Sequence, residues 1–386
     1  MRVSLLFSKT KKEIPSDNDS RNAELLIKAG YVNKLQAGVY SYLHLGNRVT
    51  QNISNIVREE MDAIGGSEIS LPALQPKSLW DTTGRYDTVD VNFTTEGAGN
   101  MLHVLGSTHE EVITPLAKEC VQSYKDLPVY PYQIQTKFRN ESRAKSGIMR
   151  GREFLMKDLY SFHTDEEDLN TFYEKAIVAY NRVFDRLGIS AQTYRTTALG
   201  GAFTKNYSDE FQTITPAGED TTAFCPACRW AENVEVNESW KTGDSCPRCA
   251  QDITVAVSAE VGNIFKLGTK FSESFDLHYT TVEGKKELVQ MGCYGIGISR
   301  VMGTIVEVLN DEKGIVWPES IAPYKYYLVS IGSDEEGEKL YDELKSRGVS
   351  VLYDDRRKVS PGQKFGDADL LGIPHRIVLS GKTLSV

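Results

Sequence analysis

The spacing of apolar residues predicts helices packed on a sheet. Residues 22–37 and 47–63 both carry helical spacing, and the second stretch forms one apolar stripe from Val49 to Met61. Residues 165–188 repeat the pattern, with acidic residues at the start and a glycine at the end. Between the first two helices, an aromatic stretch bounded by glycines predicts a short strand. Together with the strands described next, these elements predict an α+β fold.

A basic hairpin is predicted within this sheet. Residues 131–139 alternate polar and apolar side chains with the period of a half-buried strand that has one polar face. Downstream, Arg150, Phe154 and Asp158 are spaced so that in a strand they share a face. The polar, glycine-containing residues 142–148 between the two arms predict a mobile basic loop at the tip.

The charge of this hairpin indicates an anion site. Residues 137–158 hold seven Lys and Arg side chains against three acids, in a chain whose formal net charge is -9. Guanidinium groups bind phosphate oxygens, a carboxylate such as Glu141 can accept from an adenine amino group, and Phe154 can stack on a base. A nucleoside triphosphate therefore suits the pattern. A solvated surface hairpin with ordinary salt bridges is the alternative.

The segment before the hairpin is less informative. Residues 67–76 read as extended, and Pro72 in the middle of them favours a sheet edge or an interface, so a dimer contact is conceivable. Residues 77–100 show no clear period and are predicted to be loop. A strand, a turn and a helix follow, with Thr108 and Glu110 at the helix start. A simple helix cap explains these two residues as well as a binding site does.

Four of the six cysteines fall into two CxxC pairs, Cys225/Cys228 and Cys246/Cys249, with 17 residues between the pairs. This spacing is close to that of four-cysteine zinc ribbons, in which paired thiolates on tight turns complete a tetrahedral shell. A zinc ion held in this way would be structural, because the shell leaves no open position. Reduced cysteines without a metal are the alternative, and an iron site has the same pattern.

A glycine-rich strand runs into a helix near Arg300. The Gly-x-Gly pair before this helix is a weak signal, and the chain has neither the dinucleotide-binding fingerprint nor a P-loop. The arginine is the more informative feature, because a cation at the start of a helix is disfavoured unless an anion lies beside it. A bound phosphate would remove this conflict.

Composition and the C-terminal pattern set the broader class. With 386 residues and 40% hydrophobic content, the chain is large enough for two domains. Beyond prolines at positions 318 and 323, alternating strands and helices predict a small parallel α/β domain. No apolar run of spanning length and no signal peptide is seen, so we expect a cytoplasmic location and no membrane partner. A pI near 5.4 argues against indiscriminate binding of nucleic acid, but it allows a local basic groove for a specific RNA.

Taken in order, these segments resemble the class II aminoacyl-tRNA synthetases. Phe138 to Glu141, a loop, and the Arg150, Phe154, Asp158 series resemble their motif 2, GCYGIGISR resembles motif 3, and GGSEISLPAL resembles the dimer-forming motif 1. The resemblance narrows to the bacterial-type prolyl-tRNA synthetases over nearly the whole chain, through AGVYSYLHLGNRV, GSTHEEVIT, YQIQTKFRNE, REFLMKDLYSFH, EVGNIFKLGTKFS and GIPHRIVL. Motifs of the class I enzymes are absent from the sequence.

This resemblance implies a fold, a reaction and a set of partners. The implied fold is an antiparallel sheet flanked by helices, followed by a small α/β anticodon-binding-like domain. The implied reaction condenses L-proline with ATP to prolyl-adenylate, with Mg²⁺ bridging phosphates, and then passes the prolyl group to tRNA(Pro). A homodimer is implied as well. Catalysis would rest mainly on positioning and on stabilisation of charge.

The resemblance also implies roles for individual residues. The expected catalytic groups are Arg139 on the α-phosphate and Arg300 on the γ-phosphate. The expected ATP-binding set is Arg139, Glu141, Arg150, Phe154, Glu260, Asn263 and Arg300. The expected proline-binding set is Thr108, Glu110, Arg139, Tyr160, His163 and Cys293. Arg143 and Lys145 are expected to reach the acceptor end of the tRNA, and the metal candidates remain Cys225, Cys228, Cys246 and Cys249.

Three departures from the family pattern shape the remaining expectations. A small cysteine-knuckle insert, residues 222–258, occupies the place of the large editing domain within a catalytic domain of residues 1–320, so we expect no hydrolysis of alanyl-tRNA in cis. The anticodon-binding-like domain, residues 323–386, is expected to be incomplete. Residues 81–100 differ from the usual segment. A catalytically silent regulatory or RNA-binding module and a class II enzyme for another amino acid are the competing hypotheses.

Overall fold

The computed structural model describes residues 1–13, 20–201 and 207–383. The α-helices in these segments are α1 (Arg21–Lys28), α2 (His44–Ala63), α3 (Lys77–Thr83), α4 (Glu110–Cys120), α5 (Glu166–Arg186), α6 (Lys270–Phe275), α7 (Ile298–Val308), α8 (Asp334–Ser346) and α9 (Pro361–Leu371). The strands are β1 (Val32–Gln36), β2 (Val39–Tyr42), β3 (Ser67–Glu68), β4 (Leu74–Pro76), β5 (Phe93–Glu96), β6 (Leu102–Leu105), β7 (Pro131–Phe138), β8 (Glu153–His163), β9 (Thr193–Leu199), β10 (Tyr207–Ile214), β11 (Asp220–Phe224), β12 (Ala231–Asn233), β13 (Thr254–Gly268), β14 (His278–Thr280), β15 (Lys286–Leu288), β16 (Gln290–Ile296), β17 (Tyr326–Ile331), β18 (Val351–Asp354) and β19 (His375–Ser380). In these three described segments, no helix combines the length and the apolar character needed to cross a membrane.

A nine-stranded, mainly antiparallel sheet forms the centre of the first domain. Its strand order is β10-β9-β12-β11-β13-β16-β8-β7-β3. The long strand β13 pairs with β16 along one edge, and along its other edge it pairs first with β11 and then with β10. Strands β7 and β8 form the predicted hairpin, with Lys137 opposite Phe154. The predicted antiparallel sheet flanked by helices is confirmed.

Alternation along β8 separates the two faces of this sheet. Leu159 packs into the larger core, which α2, α5 and α7 also line. Tyr160 and Phe162 point the other way, into a second core that includes residues of α4 and α6. Successive side chains in a strand point to opposite faces, so Asp158 lies on the face of this second core. That face carries the polar site described below.

The helix predicted over residues 22–37 is wrong in its second half. Helix α1 ends at Lys28, and Gly30 then takes a left-handed backbone conformation with φ of +70°. The chain continues into an antiparallel hairpin of β1 and β2, whose turn contains Gly38 with φ of +76°. Glycine adopts these angles without the steric cost that other residues bear, so it ends the helix and closes the turn.

The loop predicted over residues 77–100 contains helix α3 and strand β5. Trp80 of α3 is fully buried, and its indole nitrogen donates to Oε1 of Gln75 at 2.8 Å. Strand β5 pairs with β6 in antiparallel register. These are contacts with other parts of the chain, which a local search for periodicity does not detect.

The tip of the hairpin is packed over half of its length. The backbone nitrogen of Ile148 donates to Oδ1 of Asn22 at 3.2 Å, and the Asn22 amide donates to the carbonyl oxygen of Ser146 at 3.1 Å. Gly147 has φ of +61°, and a Cβ on it would lie 2.3 Å from Oδ1 of Asn22. The mobile loop expected over residues 142–148 is therefore wrong for its second half, which is buried against α1.

The small C-terminal domain has the predicted alternation. Strand β17 pairs in parallel with β18 on one side and β19 on the other, and α8 and α9 connect them. The N-terminus of the chain packs on this domain, because the Arg2 guanidinium lies 4.7 Å from the ring centre of Tyr341 and pairs with Glu338. The incompleteness expected of the unit of residues 323–386 stays a prediction.

Candidate active site

The polar side chains of β7 lie inside the protein. Gln133 and Lys137 are at most 1% exposed, and both contact Asp158 of the neighbouring strand. The alternation predicted a strand with an apolar buried face and a polar exposed face, whereas Gln133 and Lys137 on the polar face are buried as well. The hairpin therefore presents its polar face to a site and not to bulk solvent.

A buried ion pair and a neutral histidine connect this face to the start of α4. Nζ of Lys137 lies 2.7 Å from Oδ1 of Asp158 and 2.6 Å from Nδ1 of His109. Nε2 of His109 lies 3.2 Å from the carbonyl oxygen of Pro72, so Nε2 carries the proton and Nδ1 accepts. Burial, and then the Lys137 ammonium, lower the pKa of His109 to about 4. Burial alone would raise the pKa of Asp158, but Lys137 and His109 hold it below its usual value.

Glu110 is the acid at the centre of the site. Its side chain is 0% exposed, accepts a short hydrogen bond from the Thr108 hydroxyl, and accepts from the Cys293 thiol at 3.2 Å. Burial, and then Glu110, raise the pKa of Cys293 well above its usual value, so the sulfur keeps its proton. Tyr160 pairs with Cys293 across the strands and donates to Asp158 at 2.9 Å. Four of the expected proline-binding residues therefore meet at one place.

The helix-cap interpretation of Thr108 is wrong. Helix α4 begins at Glu110 with His109 at its N-cap position, and no side chain there caps the backbone. The Thr108 hydroxyl donates to Glu110 instead. Thr108 lies one residue too early to cap this helix, so its hydroxyl serves the carboxylate.

Arg139 and Arg300 bring two positive charges to the site. The Arg139 guanidinium carbon lies 5.2 Å from the ring centre of Phe154. Burial, and then Arg300, lower the pKa of Arg139. Arg300 donates to the carbonyl oxygen of Met149 at 2.9 Å and lies 3.2 Å from Oε2 of Glu260, which supplies the negative charge expected beside the start of α7. Two guanidinium groups that repel each other favour a bound anion between them.

A network of charges borders the cleft beside the hairpin. One guanidinium nitrogen of Arg150 lies 2.6 Å from Oε2 of Glu141, and another makes a short contact with Glu219. Glu219 also pairs with Lys145 at 3.2 Å. Arg143 is exposed on the loop. The cleft itself is a cavity of about 90 Å³, and its lining includes Ser146, Met149, Arg150, Glu219, Asp220, Glu260 and Arg300.

A group of carboxylates lies near Arg300. Asn263 donates to Oε1 of Glu260 at 2.6 Å, and the Gln212 amide nitrogen donates to both Glu210 and Asp220 at 2.8 Å. Burial, and then Glu260, raise the pKa of Glu210 to about 8, and burial raises the pKa of Asp220. In the part of the chain that the structure describes, the buried Oε1 of Gln212 has no hydrogen-bond partner. Oxygen donors of this kind suit Mg²⁺.

His163 is the expected proline-binding residue that the structure places away from Glu110. Its position in β8 alternates with Asp158 and Tyr160, so it points to the opposite face. There Nδ1 lies 2.7 Å from Oδ2 of Asp168, and the ring packs against Phe172 of α5 with 5.7 Å between centres.

The four cysteines of the two CxxC pairs converge. Sγ of Cys225 lies 3.5 Å from Sγ of Cys249, Sγ of Cys228 lies 3.6 Å from Sγ of Cys246, and all four lie within 4.8 Å of one another. Around a tetrahedral zinc ion with Zn–S bonds of about 2.3 Å, sulfur atoms are separated by about 3.8 Å. The two knuckles share one turn geometry, since Arg229 and Ala250 have φ of +59° and +60° and donate to the carbonyl oxygens of Cys225 and Cys246 at 2.9 Å. The sulfur geometry fits a zinc ion.

Several residues that border the site were not predicted from the sequence as site residues. They are Arg85, His109, Glu111, Lys137, Asp158, Glu210, Gln212, Glu219 and Asp220. The acids at the start of α4 and the polar alternation of β7 were noted, but a partner such as Arg85 comes from a segment without a recognisable pattern. Only the tertiary fold pairs these charges.

Comparisons with known proteins agree with this arrangement. The family model of the tRNA synthetase class II core domain (G, H, P, S and T) matches residues 93–309, and that of the anticodon binding domain matches residues 325–385. Among curated proteins, the chain is 31% identical to the proline–tRNA ligase of Moorella thermoacetica, with 100% of this chain and 93% of that protein covered. It is 38% identical to the proline–tRNA ligase of a Wolbachia species, again with 100% and 93% covered.

The lengths of these alignments differ in an informative way. The alignment with the Moorella protein extends over 538 positions, whereas the Wolbachia alignment extends over 401, close to the 386 residues of this chain. A long insertion in the first relative therefore has no counterpart here.

Solved structures share the fold. Giardia lamblia prolyl-tRNA synthetase in complex with prolyl-adenylate superimposes with a TM-score of 0.77 at 22% identity, covering 95% of this chain and 72% of that one. Prolyl-tRNA synthetase from Cryptosporidium parvum, complexed with L-proline and AMP, gives a TM-score of 0.75 at 16% identity, covering 94% and 68%. With the family models and the curated relatives, these matches show that the chain belongs to the proline–tRNA ligase family of class II aminoacyl-tRNA synthetases.

Proposed function

We propose that this protein activates L-proline with ATP and transfers the prolyl group to tRNA(Pro). The observation that carries the proposal is the buried Glu110 carboxylate, which Thr108 and Cys293 hold on the same sheet face as Arg139. A carboxylate in a closed pocket suits a secondary ammonium group, and a guanidinium suits a carboxylate or a phosphate. Free proline carries both a secondary ammonium group and a carboxylate.

In the first step, a carboxylate oxygen of proline attacks the α-phosphorus of ATP, and the bond to the pyrophosphate leaving group breaks. No proton has to move, because the nucleophile is already an anion. Arg139 would stabilise the charge that builds on the α-phosphate, and Arg300 would hold the γ-phosphate. The repulsion between these two guanidinium groups is relieved when the triphosphate binds.

The adenine would bind at the hairpin. Phe154 offers a ring for stacking, and Glu141 offers an acceptor for the amino group of the base. Arg150 now contacts Glu141 and Glu219, so one of these contacts would open when Arg150 meets the phosphates. The ATP-binding set on this proposal is Arg139, Glu141, Arg150, Phe154, Glu260, Asn263 and Arg300.

We propose that Mg²⁺ binds with the phosphates near Arg300, beside the Glu260 carboxylate. Burial, and then Glu260, raise the pKa of Glu210, and a cation beside Glu260 would relieve this repulsion. The ion would supply charge neutralisation for the phosphates, and Asn263 would hold Glu260 in position through its hydrogen bond.

The cysteine cluster is proposed to hold a structural zinc ion. Cys225 directly follows β11 and the second pair precedes β13, so the knuckles join two strands of the central sheet. Residues 222–258 then replace an editing domain within a catalytic domain of residues 1–320, and residues 323–386 form the anticodon-binding unit. On this proposal, alanine that is misattached to tRNA is not removed by this chain.

Three further assignments complete the proposal. Arg143 and Lys145, on the hairpin loop, would contact the acceptor end of the tRNA. A homodimer would form at the edge marked by β3, where a partly exposed apolar groove is lined by residues such as Ile69, Leu116 and Val129. We place the protein in the cytoplasm, where its tRNA is found and where thiols stay reduced.

Proline-dependent exchange of labelled pyrophosphate into ATP tests this function. The protein should support exchange with proline, and much less with other amino acids. Exchange with a different amino acid would move the substrate assignment. No exchange with any amino acid would favour the catalytically silent module.

A further inference from the structure

Two acids at the start of α4 are buried side by side with one cation. Glu110 and Glu111 are both 0% exposed. Nη1 of Arg85 lies 2.8 Å from Oε1 of Glu111 and 3.4 Å from Oε2 of Glu110. Arg85 is itself only 5% exposed, and its guanidinium lies between the rings of Trp80 and Phe271, at 5.5 and 5.4 Å. It comes from the segment of residues 77–100 in which the sequence showed no pattern.

The distances divide the two acids into different roles. Glu111 holds the shorter contact with Arg85 and also accepts from the Thr83 hydroxyl at 3.0 Å. Glu110 has the longer contact and turns towards Thr108 and Cys293. Burial raises the pKa of Glu111, and the Arg85 guanidinium opposes that rise. In their ion pair the charges of Arg85 and Glu111 cancel, which leaves the pocket one negative charge, on Glu110.

The other charged and titratable groups around the pocket do not change this balance. Lys137 and Asp158 cancel each other, and His109 between them and Glu110 is neutral at pH ~7. Cys293 keeps its proton, as does Tyr160, whose pKa burial and then Asp158 raise well above its usual value. Arg139 faces the phosphate side of the site. The remaining cation that acts on both acids is Lys270, which lies exposed at the start of α6.

We propose that Arg85 is a positioning residue for proline binding: it neutralises Glu111, so that Glu110 meets the secondary ammonium of the substrate as a carboxylate. Without Arg85, two carboxylates buried next to each other would hold one proton between them. Oε2 of Glu111, which is buried and has no hydrogen-bond partner among the described residues, is a place for that proton. A shared proton weakens the attraction for a cationic substrate. The inference rests on the proposed function, because it takes proline as the ligand.

Charge rescue gives the sharpest test. We would measure the KM for proline and for ATP by pyrophosphate exchange in the wild type, Arg85→Gln, Arg85→Lys and the double variant Arg85→Gln/Glu111→Gln. Arg85→Gln should raise the KM for proline about 10- to 100-fold, the range expected for losing a charged hydrogen bond, and leave the KM for ATP within about twofold. Arg85→Lys should retain most of the affinity.

The double variant separates charge from structure. It removes the excess acid together with the cation, so the KM for proline should return to within about threefold of the wild type. In the pH profile of kcat/KM for proline, the apparent pKa of the acid limb should rise by about one unit in Arg85→Gln and return to the wild-type value in the double variant. A double variant as poor as Arg85→Gln, or an Arg85→Gln protein like the wild type, would overturn the proposal.

A second variant covers the case in which Arg85→Gln does not fold. Glu111→Gln keeps the shape of the side chain and leaves Arg85 to pair with Glu110, so it should raise the KM for proline. An unchanged KM would refute the inference. Wild-type protein without exchange would defeat the proposed function itself, whereas normal wild-type exchange with unaffected variants would defeat only the role of Arg85.

Discussion

Replacing Arg139 with alanine tests the proposed division of the hairpin. Arg139 contacts the ring of Phe154, and the nearby Arg300 guanidinium opposes its charge. In the absence of ATP, burial and Arg300 both disfavour its charge, and the carboxylates of Glu260, Glu141 and Glu110 offset only part of this, since the pKa of Arg139 stays below its usual value. Its role should appear in catalysis and not in stability.

The expected magnitudes follow from these contacts. A charged donor that acts on the transition state is worth about 2.7–4 kcal/mol, so Arg139→Ala should slow adenylate formation about 100- to 1,000-fold. Loss of the cation–π contact costs about 0.5–1 kcal/mol, and removal of the repulsion with Arg300 offsets it. The free energy of unfolding should therefore stay within about 1 kcal/mol of the wild type.

Single-turnover measurement of adenylate formation, together with urea unfolding, gives both quantities. Arg143→Ala is the matched control, because this exposed arginine of the same loop should leave adenylate formation intact and slow transfer to tRNA. If Arg139→Ala loses less than about tenfold in the first step, or if both variants lose both steps equally, the reasoning is refuted.

Four further outcomes are expected. Lys137→Met leaves Asp158 buried without its partner and should lower the free energy of unfolding in urea by about 3–5 kcal/mol, while the double variant with Asp158→Asn should lose less. The pKa of His109 is about 4 in the folded protein and about 6.5 in the unfolded chain, so the neutral histidine contributes its full stabilisation above pH ~6.5. The free energy of unfolding in urea should fall by roughly 3 kcal/mol as the pH drops from ~6.5 to ~4, and His109→Gln should reduce this pH dependence. Metal analysis should find about one equivalent of zinc, and chelation or Cys249→Ser should lower Tm; zinc below about a tenth of an equivalent contradicts the site. Alanyl-tRNA(Pro) should form, since a proline pocket rejects the smaller alanine by only about 1–3 kcal/mol per missing methylene, and it should persist in the presence of the purified protein because the place of the editing domain is taken by residues 222–258; rapid deacylation would contradict this expectation.

The sequence predicted the site best where charged or thiol side chains occur at the characteristic spacing of a known motif. Arg139, Glu110 and Cys293 were selected from short motifs through the resemblance, and the structure brings them to one face of the sheet; their roles in binding stay predictions. The four cysteines could be paired from spacing alone. The C-terminal alternation of strands and helices was also readable, since each element there is complete and locally bounded by turns.

The errors have physical causes. Strand β1 was taken for helix because its apolar residues also satisfy a helical period, and only Gly30 signals the break, whereas the aromatic segment of β2 was predicted as a strand. His163 was assigned to the pocket because the face of a residue near a strand end is not fixed by a motif. Arg85 was invisible because its partners lie about 25 residues away in the chain. Buried charges of this kind are specified by tertiary contacts.

The amino acid that this chain activates can be read from the adenylate that it retains. The protein is incubated with ATP, Mg²⁺ and all the common amino acids at equal concentration, and the aminoacyl-adenylate that stays bound is identified by mass spectrometry. We expect prolyl-adenylate as the dominant species, together with its loss in Arg139→Ala. A different adenylate as the dominant species, or none in the wild type, would contradict it.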